Sequence, residues 1–292
     1  MANLKEVRTR IASVSSTQQI TSAMKMVSAA KFRRAQNNII GMRPYSKQLD
    51  QIISDIDVAD GILTPYHEQR HLGQILLVVV TSNKGLCGAF NANVIKQAEA
   101  RIQYYSSEHK DAKIHLLTIG KRASDYFSKR VECCTDASEI LDDGSFDRVA
   151  EVADTIMQQF CDKTYDKVEL IYNQFKNSLS QILSVENFLP IVPSEQNELA
   201  AKSQHSNDYI YEPNKEEILK EMIPLTLRSH FYRVILDSLA AEHGARMTAM
   251  QKATDNATEL LKDLKLSYNK ARQAAITNEI IEIVSGSEAL KG

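Results

Sequence analysis

Leu4, Val7, Ile11, Val14, Gln18, Thr21, Lys25, Ser28, Phe32, Ala35, Ile39, Met42, Ser46, Leu49, Ile53 and Ile56 keep one three-four spacing without a skip. A second such series runs near the other end, through Ile218, Met222, Leu225, Ser229, Tyr232, Leu236, Leu239, His243, Arg246, Met250, Ala253, Ala257, Leu260 and Leu264, and continues at Ser267, Ala271, Ala274, Asn278 and Ile281. Seams of this period belong to long helices that bury a stripe against a partner. The nearest partner of each is the other. A chain that leaves along one helix and returns along the other pairs them antiparallel.

At 1.5 Å per residue, residues 3 to 56 span roughly 80 Å and residues 215 to 286 roughly 105 Å. The last helix therefore overhangs, and everything beyond about Tyr268 extends past the N-terminus. This tip carries Ile276, Ile280, Ile281, Ile283 and Val284, with no Gly or Pro between Ser267 and Ser285 to turn it back. Three outcomes stay open, a sheath supplied by another protein, a fold back onto the head, and a helix that ends sooner than the heptads suggest. Along the first helix the seam turns polar at Gln18, Thr21, Lys25 and Ser28, while Ile20, Met24 and Val27 lie off it. Either a second surface meets this stretch or the seam has shifted by a residue or two in a local stutter. Pro44 and Pro224 fall inside the two helical runs and predict kinks.

The middle of the chain changes period. Gln74 to Ser82 reads as a buried strand, residues 91 to 105 as a helix, and Lys113 to Ile119 as a second strand. A helix at about 146 to 163 and strands at 166 to 173 and 181 to 189 follow. This alternation predicts an open, largely parallel, Rossmann-like sheet. The expected fold class is thus α/β, with a long antiparallel coiled coil from the terminal helices: residues 1–57 as the first helix, 58–212 as the central domain with flanking loops, and 213–292 as the last helix. Residues 194 to 208 form a polar loop ahead of Pro213.

The motifs argue against chemistry on this chain. Gly85-Leu86-Cys87-Gly88 follows the first strand, but GxxG lacks the GxGxxG spacing and the GK[ST] ending of nucleotide loops. A turn into the next helix suffices to explain it. The seven histidines make no HExxH or similar pair. Cys87, Cys133, Cys134 and Cys161 have no CxxC spacing and read as reduced, mostly buried thiols. No catalytic residue, cofactor or metal is expected. Asp142-Asp143-Gly144 reads as a solvated turn.

Charge is unevenly placed. Residues 1 to 56 hold nine Lys/Arg against three Asp/Glu, residues 57 to 214 hold fifteen against twenty-three, and residues 215 to 286 balance at ten each. The first helix therefore suits an acidic partner. No nucleic-acid signature accompanies Lys31, Arg33, Arg34 and Lys47. With heptads beginning at Leu4 and no apolar run of bilayer length, no signal peptide or membrane span is expected.

Four separated stretches carry a resemblance: LKEVRTRIASVSSTQQITSAMKMVSAAKFRRAQ at the start, SNKGLCGAFN in the middle, and EHGARMTAMQKATDNA and YNKARQAAITNEIIEIVSGSEAL at the end. They resemble the gamma subunits of F-type ATP synthases, densely over the terminal helices and thinly between, where YIYEP is a further point. The resemblance implies a rotor without bond chemistry of its own. Its coil would turn inside a ring of three alpha and three beta subunits. Its head would stand on the ring of c subunits with epsilon beside it, and delta would belong to the same complex. Met24, Lys25 and Val27 would meet the ring's acidic lever loops. Arg272, Gln273 and Thr277 would reach the beta subunits, and Ile276, Ile280 and Ile283 would sit in an apolar bearing. Tyr209, Tyr211 and Glu212 would lie by the c ring and epsilon. The implied location is the cytoplasmic face of a bacterial inner membrane, held there through the complex. Phe90 and Gly244 depart from the family's usual residues. Apart from the resemblance, a Rossmann-like enzyme with helical arms and a coiled-coil scaffold or nucleic-acid clamp remain open.

Overall fold

The computed structural model describes residues 4–60, 64–109, 111–177, 180–191, 212 and 214–289. The polar loop at 194 to 208, Pro213, Tyr209 and Tyr211 lie outside the described residues, as do the side chains of Ile53 and Ile56. Two compact units emerge, one of residues 1–28 with 246–292 and one of residues 29–245. Helices α1 (Leu4–Asp60) and α6 (Lys215–Ala289) each contribute to both units. Pro44 and Pro224 lie within these helices without ending them.

The larger unit is built on a five-stranded sheet in the order β3-β2-β1-β4-β5. Its strands are β1 (Gln74–Val80), β2 (Lys113–Ile119), β3 (Cys134–Asp136), β4 (Lys167–Phe175) and β5 (Gln181–Leu189). The first four are parallel and β5 runs antiparallel along β4. The sequence QILLVVV explains the central position of β1, because it offers apolar side chains to both faces in alternation. Leu76, Val78 and Val80 look one way, Ile75, Leu77 and Val79 the other.

The second of these faces is covered by α2 (Phe90–Glu108) and the short α3 (Lys121–Phe127), through Val94, Ala98, Tyr105, Ala123 and Phe127. Helix α3 begins where Gly120, at φ 114°, lets the chain pass against Thr81. A Cβ there would stand 2.4 Å from the Thr81 carbonyl oxygen. Thr81 Oγ1 then accepts the Ala123 amide at 3.0 Å.

The first face is covered by α5 (Phe146–Cys161) and, unexpectedly from the heptads alone, by the start of α6. Leu219, Ile223, Leu227, Phe231, Val234 and Ile235 pack into that core. A different side of α6, Leu236 and Ala240, meets Ala35 and Ile39 of α1. Between Leu227 and Arg246 the helix is thus nearly buried all round, because it serves two partners at once. The small α4 (Ile140–Asp143) ends at Gly144 in the left-handed region, so Asp142 and Asp143, expected in a turn, form the last residues of a short helix instead.

The smaller unit is an antiparallel helix pair. Arg8 meets Tyr268, Gln18 meets Thr258 and Thr21 meets Thr254, so numbers rise along one helix as they fall along the other.

Candidate interaction surfaces

The α1 seam holds its register through the polar stretch. From Leu4 to Leu49 every described seam position is buried or half-buried, with Thr21 at 8% and Ser28 at 3% exposure. No stutter occurs there. Small hydroxyl side chains at these points bring the partner helix near, and the seam is closed by hydrogen bonds. Thr21 Oγ1 lies 2.9 Å from Thr254 Oγ1 and donates to the Gln18 carbonyl at 3.0 Å, while Gln18 Nε2 donates to Thr258 Oγ1 at 2.7 Å.

The stutter is in α6 instead. Leu260 and Ser267 of the expected seam are replaced by Leu261 and Tyr268, and Thr254 joins half-buried Ala253, while Ala257, Leu264 and Ala271 stay in it. Leu261 is 8% exposed and Leu260 48%. The spacing Arg246-Met250-Thr254 inserts one extra residue into the three-four rhythm, which moves the stripe around the helix. Polar and small residues at 251 to 256 hide this shift from an apolar count.

Outward from the α1 seam, Ile20, Met26 and Val27 are exposed. Heptad geometry explains which residues these are. Ile20 and Val27 share one outer position and Met26 is its neighbour, whereas Met24 flanks the seam and is half-buried. Met26 adds an exposed apolar residue to this face, and Met24, off the seam as expected, is only partly covered. Lys25, a seam residue, is half-buried, in keeping with a long aliphatic stem lying along the interface.

The C-terminal tip is uncovered. Beyond Ala271 every described position of α6 through Ser287 is exposed, including Arg272, Gln273 and Thr277, and Ile276, Ile280, Ile281, Ile283 and Val284 are 45% to 66% exposed. The helix does not fold back within its unit. Thr277 Oγ1 is spent on the Gln273 carbonyl at 2.9 Å. Glu212 is exposed.

The crevice where doubly wound folds hold nucleotides is filled. Ligands in such folds bind beyond the carboxyl ends of the strands, beside the first one. Here Cys87 and Phe90 are buried there against Ala241 of α6, with Phe175 and Ala245 alongside. Asn173 donates to the Phe90 carbonyl at 3.0 Å. The turn satisfies itself: Asn91 Oδ1 accepts the Ser82 amide at 3.0 Å and Asn91 Nδ2 reaches Cys87 Sγ at 3.2 Å. Phe90, the unusual residue of this turn, is the plug. Gly244 is buried in the adjoining stretch of α6.

The thiols differ from the expectation of mostly buried groups: Cys87 is buried, Cys134 and Cys161 are intermediate and Cys133 is exposed. All four are free. Among the described residues no cluster of His, Cys, Asp and Glu is arranged to hold a metal ion, and no helix is long and apolar enough to cross a membrane.

Comparison with known proteins agrees over the whole chain. A family model described as ATP synthase matches residues 3–290. The ATP synthase gamma chain of Flavobacterium johnsoniae is 52% identical over 294 residues, covering all of both chains, and that of Cytophaga hutchinsonii is 50% identical over 297 residues, covering 99% of each. Among solved structures, a chain of the Tetrahymena thermophila mitochondrial ATP synthase central stalk and c-ring superposes with a TM-score of 0.57 at 25% identity, covering 80% of this chain and 99% of that one. A chain of the Euglena gracilis mitochondrial enzyme shares the fold, with a TM-score of 0.66 at 20% identity over 98% of this chain and 94% of that one. With relatives this close along its full length, the chain belongs to the gamma-chain family of ATP synthases.

Proposed function

We propose that this chain is the central rotor shaft of a rotary F-type ATP synthase, coupling ion-driven rotation of a membrane c ring to conformational change at catalytic sites on other subunits. Family membership supports the role, and as a gamma chain it is a non-catalytic subunit. One structural observation carries the reading: an apolar helix tip, residues 272 to 287, is exposed along its length and needs a sheath.

In this reading the sheath is a ring of three alpha and three beta subunits. Ile276, Ile280 and Ile283 turn in its apolar bearing, and Arg272, Gln273 and Thr277 reach beta. Met24, Lys25 and Val27, with Ile20 and Met26 beside them, meet the lever loops. Tyr209, Tyr211 and Glu212 are proposed to contact the c ring and epsilon, with delta elsewhere in the complex. The chain sits peripherally at the cytoplasmic face of a bacterial inner membrane. Rotation presents unequal faces to the three beta subunits and so shifts each between open and closed states.

The test is co-expression with bacterial alpha and beta subunits. One copy per six-subunit ring is expected, with ATP-driven rotation of a bead attached through exposed Cys133. Assembly without rotation, or no assembly, sinks the proposal.

A further inference from the structure

The sheet face covered by α5 is incompletely filled near β3. That strand is only three residues long, and a cavity of about 220 Å³ lies among the strands, α5 and Tyr165. Its floor is apolar and buried, formed by Leu76, Leu117 and Ile156. Ala137, Val152 and Tyr165 are half-buried walls, and Thr135, Thr155 and Gln159 bring polar groups to its more exposed side.

We propose that this cavity is a binding site for a small aromatic molecule bearing one hydrogen-bonding group, of the indole or phenol class. An apolar protein cavity of about 150 Å³ accommodates benzene, so this one has room for a ring with a substituent or a second fused ring. Water is a poor occupant of the floor, where Leu76, Leu117 and Ile156 offer no side-chain hydrogen-bond partner. No charged side chain lines the cavity, which excludes phosphate and carboxylate ligands. What remains is a ring on the floor and one polar group toward half-buried Gln159, since Thr135 and Thr155 are exposed and Thr155 Oγ1 already donates to the Glu151 carbonyl.

Such a ligand would brace α5 against the sheet. That helix is already tied to α6 next to the cavity, where Arg228 Nε meets Asp154 Oδ1 at 2.5 Å. The site is remote in sequence from every proposed rotor contact, so its failure leaves the rotor reading untouched.

Indole is the probe, titrated into the full chain with saturation-transfer NMR and thermal melting as readouts. Saturable binding on the order of 1 mM or tighter is expected for a ligand of this size, with a raised melting temperature. Ala137→Phe and Val152→Phe each fill the cavity and should weaken binding at least tenfold. If one fails to fold, the other decides. Gln159→Leu should weaken indole severalfold while leaving toluene unchanged. Non-saturable uptake by the native chain, or equal binding to a folded filled variant, overturns the site. A Gln159→Leu variant that binds indole as before overturns the assignment of the polar group.

Discussion

Arg8 donates a hydrogen bond to the Tyr268 hydroxyl at 2.9 Å, with its guanidinium 5.8 Å from the centre of the same ring. This clasp stands at the end of the paired seam, for past Ala271 the described residues of α6 are exposed. The tip therefore contributes little to the stability of its own unit. Replacing Ile280 and Ile283 together with Asp should change the unfolding free energy of the isolated chain by no more than about 0.5 kcal/mol per site. The same double variant should lose co-purification with alpha and beta subunits, because two charges would enter an apolar sheath. A large loss of stability in the isolated chain would place the tip in intramolecular contact.

Phe90 tests whether the crevice is merely blocked or has no nucleotide chemistry at all. It is 2% exposed and packed with Cys87 and Ala241. Phe90→Ala should cost about 3–5 kcal/mol, measured by denaturant unfolding, as for other buried aromatic truncations. Emptying the space should nevertheless create no ATP affinity by calorimetry, since the turn has neither the glycine spacing nor the lysine of a phosphate loop. Micromolar ATP binding by the variant would revive a nucleotide-site ancestry with function.

The long helices and most of the sheet were legible because period and strand composition are local signals. The strand at Lys113–Ile119 and that at Gln181–Leu189 fall where their patterns place them. Helix α3 was not legible: seven residues are too few to show a period, and its start depends on Gly120 passing Thr81, a contact between distant segments. The double duty of α6 was hidden for a related reason. Leu219, Ile223, Leu227 and Phe231 recur every four residues beside the heptad seam, and two overlapping stripes read as one wide one. The exposed tip was legible from its length and its lack of breakers, whereas Met26 needed the seam's angle to be known.

Glu169 is buried on β4 and receives Arg101 Nε at 2.9 Å and the Tyr105 hydroxyl at 2.5 Å, with Lys167 Nζ at 3.1 Å. Burial alone pushes its pKa up, but the Arg101 and Tyr105 hydrogen bonds and the Lys167 charge outweigh that and hold it below the ordinary carboxylate value. A carboxylate with a depressed folded pKa stabilises the fold above its unfolded pKa. That stabilisation is lost as pH falls through the folded pKa. Stability should thus fall as pH drops below the ordinary glutamate range near 4.5. Glu169→Gln should cost about 2–4 kcal/mol at pH 7, because it strands partly buried cations, and should flatten this acid limb. An unchanged acid limb in the variant would assign the pH dependence to other carboxylates.

Leu260 and Leu261 separate the two possible registers of α6 in one experiment. They are adjacent and chemically identical, so helix propensity and unfolded-state effects cancel between their alanine variants. A regular heptad puts Leu260 in the seam; the structure puts Leu261 there, one position on, after the extra residue between Arg246 and Thr254. Leu261→Ala should destabilise the helix pair by about 2–3 kcal/mol, the range for a seam leucine, while Leu260→Ala should stay within about 0.5 kcal/mol. Hydrogen exchange at the amides of residues 257 to 268 reads this out locally, with faster opening expected only in the Leu261 variant. The reverse order would restore the regular heptad. The register also leaves Leu260 outside the seam and 48% exposed, open to a sheathing partner. Leu260→Ala should then perturb assembly with the alpha and beta ring more than it perturbs folding, a separation that co-purification alongside the exchange data would detect.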